Sequence, residues 1–191
     1  MPADFLSAAK AKEPAKLLTD WVPQLGLAGG FALDLGCGTG AEAAWLAQHG
    51  FTVDAIDKSP AMVAASKARC EGLNVTVTEG DFTALNFEAG RYSLVTAINS
   101  LPFLTKDACK MLLEDIKESL RPGGAVIIGV YGIEHSWADR ADMSFWTREE
   151  FALVWGDFQV VNIDEFKGEW PLLSGEKIFQ HRIHLVAKKP Q

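Results

Sequence analysis

The chain has 191 residues, 48% hydrophobic and 23% charged, the balance of a globular chain for which one domain is the default. A net charge of −7 gives no general pull on nucleic acid or an anionic membrane, so a small-molecule partner is expected, with neither nucleic acid nor membrane involved. Three cysteines without a C-x-x-C pair argue against a disulfide framework and a structural zinc, and no metal site is expected. No apolar run reaches the length of a membrane span, and the amino end lacks the apolar core of a signal peptide, which together predict a cytoplasmic location.

Asp4 to Trp21 reads as one or two short helices, ended by Pro23 and Gly29-Gly30. Strand and helix signals then alternate: strand Phe31 to Leu35, helix Gly40 to His49, strand Thr52 to Ile56, helix Pro60 to Glu71. His49 falls in a last helical turn before Gly50, where a cation suits the dipole, and capping is its expected role. Asn74 to Thr78 and Tyr92 to Ile98 are further strands. The amphipathic helix Lys106 to Leu120 stops at Arg121-Pro122-Gly123-Gly124. Ala125 to Val130 is a continuous apolar run, as expected of a central parallel strand covered on both faces. Thr147 to Glu150 has the spacing of a capping box. Phe158 to Phe166 and Ile178 to Ala187 should form a terminal antiparallel hairpin. The pattern predicts an α/β doubly wound sheet, 1–29 forming a helical cap and 30–191 a cofactor-binding core of one domain.

The stretch Leu33 to Gly40, LDLGCGTG, organises the rest. It joins an apolar strand to a helix through Gly36, Gly38 and Gly40, which suits a tight turn with positive φ and backbone that approaches a ligand closely. Gly36, Gly38 and Ala41 also satisfy the dinucleotide pattern, so an NAD-dependent oxidoreductase remains open at this point, whereas no Lys-Ser or Lys-Thr follows for a triphosphate site. Asp57 ends the second strand about twenty residues later, where a carboxylate can accept from both ribose hydroxyls and would repel a 2′-phosphate.

LDLGCGTG, VDAIDKSPAM, the EGDF at Glu79 to Phe82, YSLVTAINSLPFL and LRPGG occur in that order. The set resembles the class I S-adenosylmethionine-dependent methyltransferases from about residue 30 to the end. That resemblance implies a Rossmann-like, mostly parallel seven-stranded sheet whose last strand is antiparallel and lies beside the fifth. It implies S-adenosylmethionine as cofactor. Asp34 would contact the methionine amino group, with Gly36, Cys37, Gly38 and Gly40 passing alongside. Asp57 would hold the ribose, while Lys58 and Met62 would line the adenine edge. Asp81 and Phe82 would meet the adenine, and Ala97, Ile98 and Asn99 would close the site. Cys37 is expected to fill space in the loop rather than act as a nucleophile. Ser93 stands where the family commonly has an acid. The segment order and the closing IHLVAKK also resemble the bacterial tellurite-resistance type, which suggests a small acceptor: a thiol or chalcogen compound, an amine or a carboxylate.

The acceptor pocket must come from loops at the carboxyl ends of the strands. Tyr131 to Trp146 is long for a connection. Its Tyr131, His135 and Trp137, with Trp170 from the loop Lys167 to Lys177, are the expected walls. His181 and His184 should point to opposite faces of the last strand, which argues against a shared metal. His181, near the beginning of that strand, is the candidate base, and His184 is read as core. A non-catalytic cofactor-binding regulator or scaffold subunit is the competing reading, and a monomer or homodimer is expected.

Overall fold

In a computed structural model, residues 3–172 and 174–191 are described. Helices α1 (Ala3–Lys10) and α2 (Lys16–Trp21) precede β1 (Gly30–Leu35), α3 (Ala41–Gln48), β2 (Phe51–Asp57), α4 (Pro60–Arg69), β3 (Val75–Glu79) and β4 (Tyr92–Ala97). Then follow α5 (Lys106–Ser119), β5 (Leu120–Gly132), β6 (Phe145–Trp146), α6 (Arg148–Val154), β7 (Gln159–Pro171) and β8 (Lys177–Lys188). The strands form one sheet in the order β3-β2-β1-β4-β5-β8-β7, and β6 pairs with β5. Strands β1 to β5 run parallel, and β8 is antiparallel to both β5 and β7. The expected last strand therefore lies beside β5, and the two-residue β6 is an addition.

The central strands are mostly apolar because both faces are covered. Leu33, Leu35, Val95, Val126 and Ile128 face α5 and α6, meeting Leu112, Leu113, Ile116, Phe151 and Trp155. Their neighbours Ala32, Leu94, Ala125 and Ile127 face the other layer, with Leu18, Val22, Ala43 and Leu46. Helix starts follow local chemistry. Thr147 accepts from the Glu150 N–H at 3.0 Å, while the Glu150 carboxylate turns away to Lys106 at 2.8 Å. Pro60 occupies the first turn of α4, and Ser59 is its N-cap without a side-chain bond. His49 closes α3, its Nδ1 2.7 Å from the Trp45 carbonyl and its ring stacked on Trp45.

The terminal hairpin is longer than its apolar pattern suggests. Pairing continues through Trp170 opposite Ile178 and Pro171 opposite Lys177, so most of the expected loop Lys167 to Lys177 is strand. The first residue of β8 opposite β5 is Arg182, which faces Tyr131. The hairpin thus runs five residues of β8, Lys177 to His181, beyond its pairing with β5 before its own turn. Residues 131 to 146 are tied down: Ser136 N–H donates to the Phe179 carbonyl at 3.0 Å and Ser144 N–H to that of Pro102 at 3.0 Å.

Candidate cofactor and acceptor site

The glycine loop folds over the end of β2, with Gly36 and Cys37 N–H groups donating to the Ile56 carbonyl at 2.8 and 2.9 Å. Gly36, Gly38 and Gly40 all have positive φ, at 74°, 53° and 79°. They serve different purposes. A Cβ on Gly36 would lie 2.4 Å from the Ser100 Cβ, and one on Gly40 2.5 Å from the Ser66 Oγ, whereas one on Gly38 meets nothing within 4 Å. Close packing excludes side chains at the first and third positions, and the second faces open space. Asp57 fastens the loop: its Oδ2 accepts from Gly38 N–H at 2.9 Å and its Oδ1 from Ser59 N–H at 2.8 Å. Each oxygen keeps a further lone pair for a ligand hydroxyl.

Three cavities meet at the carboxyl end of β4. The first, about 110 Å³, is lined by Asp34, Gly36, Gly38, Glu42, Lys12 and Ile98, with Cys37 and Met62. Asp34 is buried; its Oδ1 accepts from Thr96 Oγ1 at 3.2 Å, and its Oδ2 has no partner among the described residues. Burial, with Glu42 adding repulsion, pushes this carboxyl up to about 8. Glu42 Oε1 accepts from Lys12 Nζ at 3.3 Å and from Ala15 N–H at 3.2 Å. Burial pushes the Cys37 thiol far up, so it is no nucleophile near neutral pH.

The second cavity, about 310 Å³, is lined by Gly36, Asp57, Lys58, Asp81, Phe82 and Asn99, with Ser100, Phe103 and Leu104. Asp81 Oδ1 accepts from the Thr83 hydroxyl at 2.7 Å and N–H at 2.9 Å, bonds that hold its carboxyl below the usual range. Asn99 has φ of 62°, an uncommon conformation for a residue with a side chain. The third cavity, about 440 Å³, lies between α2 and the hairpin and is lined by Lys16, Asp20, Trp21, Asp164, Phe166, Arg182 and His184 as well as Ile98 and Asn99. Gly36 is common to the first two cavities, Ile98 to the first and third, and Asn99 to the second and third.

Several expected positions are corrected. Met62 lies on the wall of the first cavity, beside Asp34, rather than with Lys58 and Asp81, because α4 points it under the loop. Ala97 has its side chain in the core among residues packed on α5. His181 is not a free base. It is buried, its Nδ1 accepts from Glu134 N–H at 3.0 Å, and its Nε2 lies 2.6 Å from Glu165 Oε1. With Nδ1 accepting, Nε2 carries the proton and donates to the carboxylate. His184, read as core, instead faces the third cavity beside Phe166, 5.3 Å between rings.

Tyr131, His135 and Trp137 come together, with Tyr131 and His135 stacked at 4.1 Å and Phe103 6.3 Å from Tyr131, yet none of the three is on the walls of these three cavities. The His135 Nδ1 accepts from Trp137 N–H at 3.1 Å. Trp170 stands apart, exposed on β7 and folded against Gly168. Lys12, Glu42 and Arg182 are cavity residues that no motif marked; Lys12 lies between α1 and α2, Glu42 in the first turn of α3 and Arg182 on β8. Among the described residues no helix is long and apolar enough to cross a membrane, and no cluster of His, Cys, Asp and Glu could hold a metal.

Residues 32–124 match the family described as "Methyltransferase domain". A cypemycin N-terminal methyltransferase from Streptomyces sp is 36% identical over 119 residues, which is 60% of this chain and 48% of that protein. The chain spans about half the length of the curated relatives it matches. TehB from Haemophilus influenzae shares the fold with a TM-score of 0.72 at 21% identity, over 99% of this chain and 62% of that one. The phosphoethanolamine N-methyltransferase 2 of Haemonchus contortus, in complex with S-adenosyl-L-methionine, shares it with a TM-score of 0.74 at 17% identity, over 97% and 57%. The fold is the one these methyltransferases share, and residues 32–124 carry the methyltransferase domain, the kind of domain for which S-adenosylmethionine is the cofactor.

Proposed function

We propose that this protein transfers a methyl group from S-adenosylmethionine to a small-molecule nucleophile. The observation that carries the reading is the meeting of the three cavities at the end of β4. The cofactor supplies a methyl group on a sulfonium, whose carbon–sulfur bond breaks as an acceptor lone pair attacks in line. The first cavity suits the methionine end. Asp34 Oδ2, buried and without a partner among the described residues, is an acceptor that an ammonium group would satisfy, and Lys12 is the nearby cation for a carboxylate. The second suits the nucleoside, with Asp57 toward the ribose and Asp81, Phe82 and Lys58 around the base. Gly36, Ile98 and Asn99, shared between these cavities, would hold the sulfonium end, and the third cavity beside them would take the acceptor. Its volume and the net charge of −7 favour a small acceptor over nucleic acid. His184 is the imidazole that faces this cavity, positioned to take a proton from the acceptor at a ring nitrogen.

Two results test the cofactor half. Asp57→Ala is expected to weaken S-adenosylmethionine binding by roughly 1.5–3 kcal/mol, since it removes charge-assisted bonds to the ligand and frees the Gly38 N–H. Unchanged affinity by calorimetry would place the ribose elsewhere.

The second concerns protons. Asp34 is raised from 3.8 to about 8, so the free folded protein holds a proton there that the unfolded chain gives up near pH 4. Its contribution to stability is full below pH 4 and is lost as pH rises toward 8. An ammonium docking on Asp34 favours the carboxylate, so binding S-adenosylhomocysteine at pH 7 should release about one proton. Titrations in buffers of different ionisation enthalpy measure this directly. Tight binding with no proton release would remove Asp34 from the ammonium site. The reaction itself is tested by following label from methyl-labelled cofactor into small nucleophiles and, separately, into RNA and protein. Label confined to macromolecules contradicts the small-molecule reading.

A further inference from the structure

Resting on the methyl-transfer reading, we infer that the methyl acceptor carries an oxyanion, a carboxylate or a phosphate-type group, and that Arg182 is the residue that recognises it. Arg182 and His184 are two residues apart on β8 and so share one face, opposite Tyr131 and Gly129 of β5. Both are half-buried, and both line the third cavity, whose Ile98 and Asn99 walls adjoin the proposed methyl position. The guanidinium makes one hydrogen bond among the described residues, from Nε to Gln180 Oε1 at 2.6 Å. That bond fixes the side chain and leaves the two terminal nitrogens of the fork without a carboxylate partner among the described residues. A planar fork with its edge unpaired is matched by an oxyanion bound through two parallel bonds.

The distribution of charge supports this choice of ligand. Asp20 and Asp164 also line the cavity, but both are exposed, as is Lys16, and Asp164 Oδ2 already accepts from Asn162 Nδ2 at 2.6 Å. The rim is therefore mixed in sign and open to water, where charges count for little. The interior holds one cation and a neutral imidazole: burial, with Arg182 beside it, pushes His184 down to about 4. An uncompensated cation in the deeper part of a pocket favours an anion and disfavours an ammonium-bearing acceptor. A bound oxyanion would also relieve the repulsion that Arg182 exerts on His184, making the imidazole more basic when the acceptor is in place.

The test uses thiols that differ only at the far end of a two-carbon spacer: 3-mercaptopropionate, 2-mercaptoethylphosphonate, 3-mercaptopropanamide and cysteamine. Each is titrated into the full-length protein loaded with S-adenosylhomocysteine. The two oxyanion thiols should bind at least about tenfold more tightly than the amide, as expected for a charge-assisted pair. Their ranking against each other distinguishes a carboxylate from a phosphate-type source. Arg182→Gln should erase the gap while leaving S-adenosylhomocysteine affinity within about twofold, and Arg182→Lys should restore part of it. Equal binding of amide and acid, a preference for cysteamine, no binding by either oxyanion thiol, or a gap that survives Arg182→Gln each overturns the inference. Failure of S-adenosylhomocysteine itself to bind overturns the methyl-transfer reading instead.

Discussion

Gly38→Val is expected to weaken S-adenosylmethionine binding by more than about a hundredfold while the protein still melts in a single transition. The Gly38 Cα looks into open space beside the first cavity, so an added branched side chain meets no protein atom at Cβ and takes up room the ligand needs. The cost to folding is the left-handed backbone at φ of 53°, about 1–2 kcal/mol against a total of roughly 5–15. Gly36→Ala is the contrast. Its Cβ would press on Ser100 at 2.4 Å, so that variant should lose stability as well as binding. Normal binding by a folded Gly38→Val protein would reduce the loop to a structural turn.

His184→Gln is expected to lower kcat by roughly a hundredfold for an acceptor that must lose a proton, the lower end of what a positioned base contributes. The imidazole is faced by Arg182 from its own strand, by Asp164 from β7, and across the cavity by Lys16 and Asp20 of α2. Burial sets it near 4, with Arg182 adding to the depression and Asp164 opposing it. It is therefore neutral at pH 7, and kcat/KM should fall only as pH drops through about 4, a limb that His184→Gln removes. His181→Gln should behave differently. Partial burial pushes the Glu165 carboxyl up, but the His181 and Lys167 hydrogen bonds hold it below its usual range. Loss of the 2.6 Å His181 bond should cost roughly 1.5–3 kcal/mol of stability and leave the acid limb in place. A removed limb in His181→Gln, with His184→Gln fully active, would reverse the two assignments.

That exchange of histidines shows where sequence reasoning stops. LDLGCGTG, Asp57 and the alternation of apolar runs were legible because each is local: a turn that needs glycine, an acid at a strand end, a period of two against 3.6. The odd spacing of His181 and His184 correctly put them on opposite faces. Which face opens on the site depends on where β8 meets β5, and that is a property of the register. The hairpin overshoots the sheet, so the edge of the site falls at Arg182 to His184 rather than at the start of the strand. Trp170 was misplaced by the same overshoot. Lys12 and Glu42 were silent for another reason. Their pairing joins residues thirty apart, and neither residue is unusual in its own segment. The family resemblance puts Met62 at the adenine edge, whereas its wall is set by how α4 packs under the loop.

The most direct measurement is calorimetric titration of the purified protein with S-adenosylmethionine, S-adenosylhomocysteine and NAD under one set of conditions. Both sulfur ligands should bind at one site per chain, each displacing the other, with NAD weaker by at least about a hundredfold. NAD bound more tightly than S-adenosylmethionine, or no binding of either sulfur ligand by folded protein, would contradict the account.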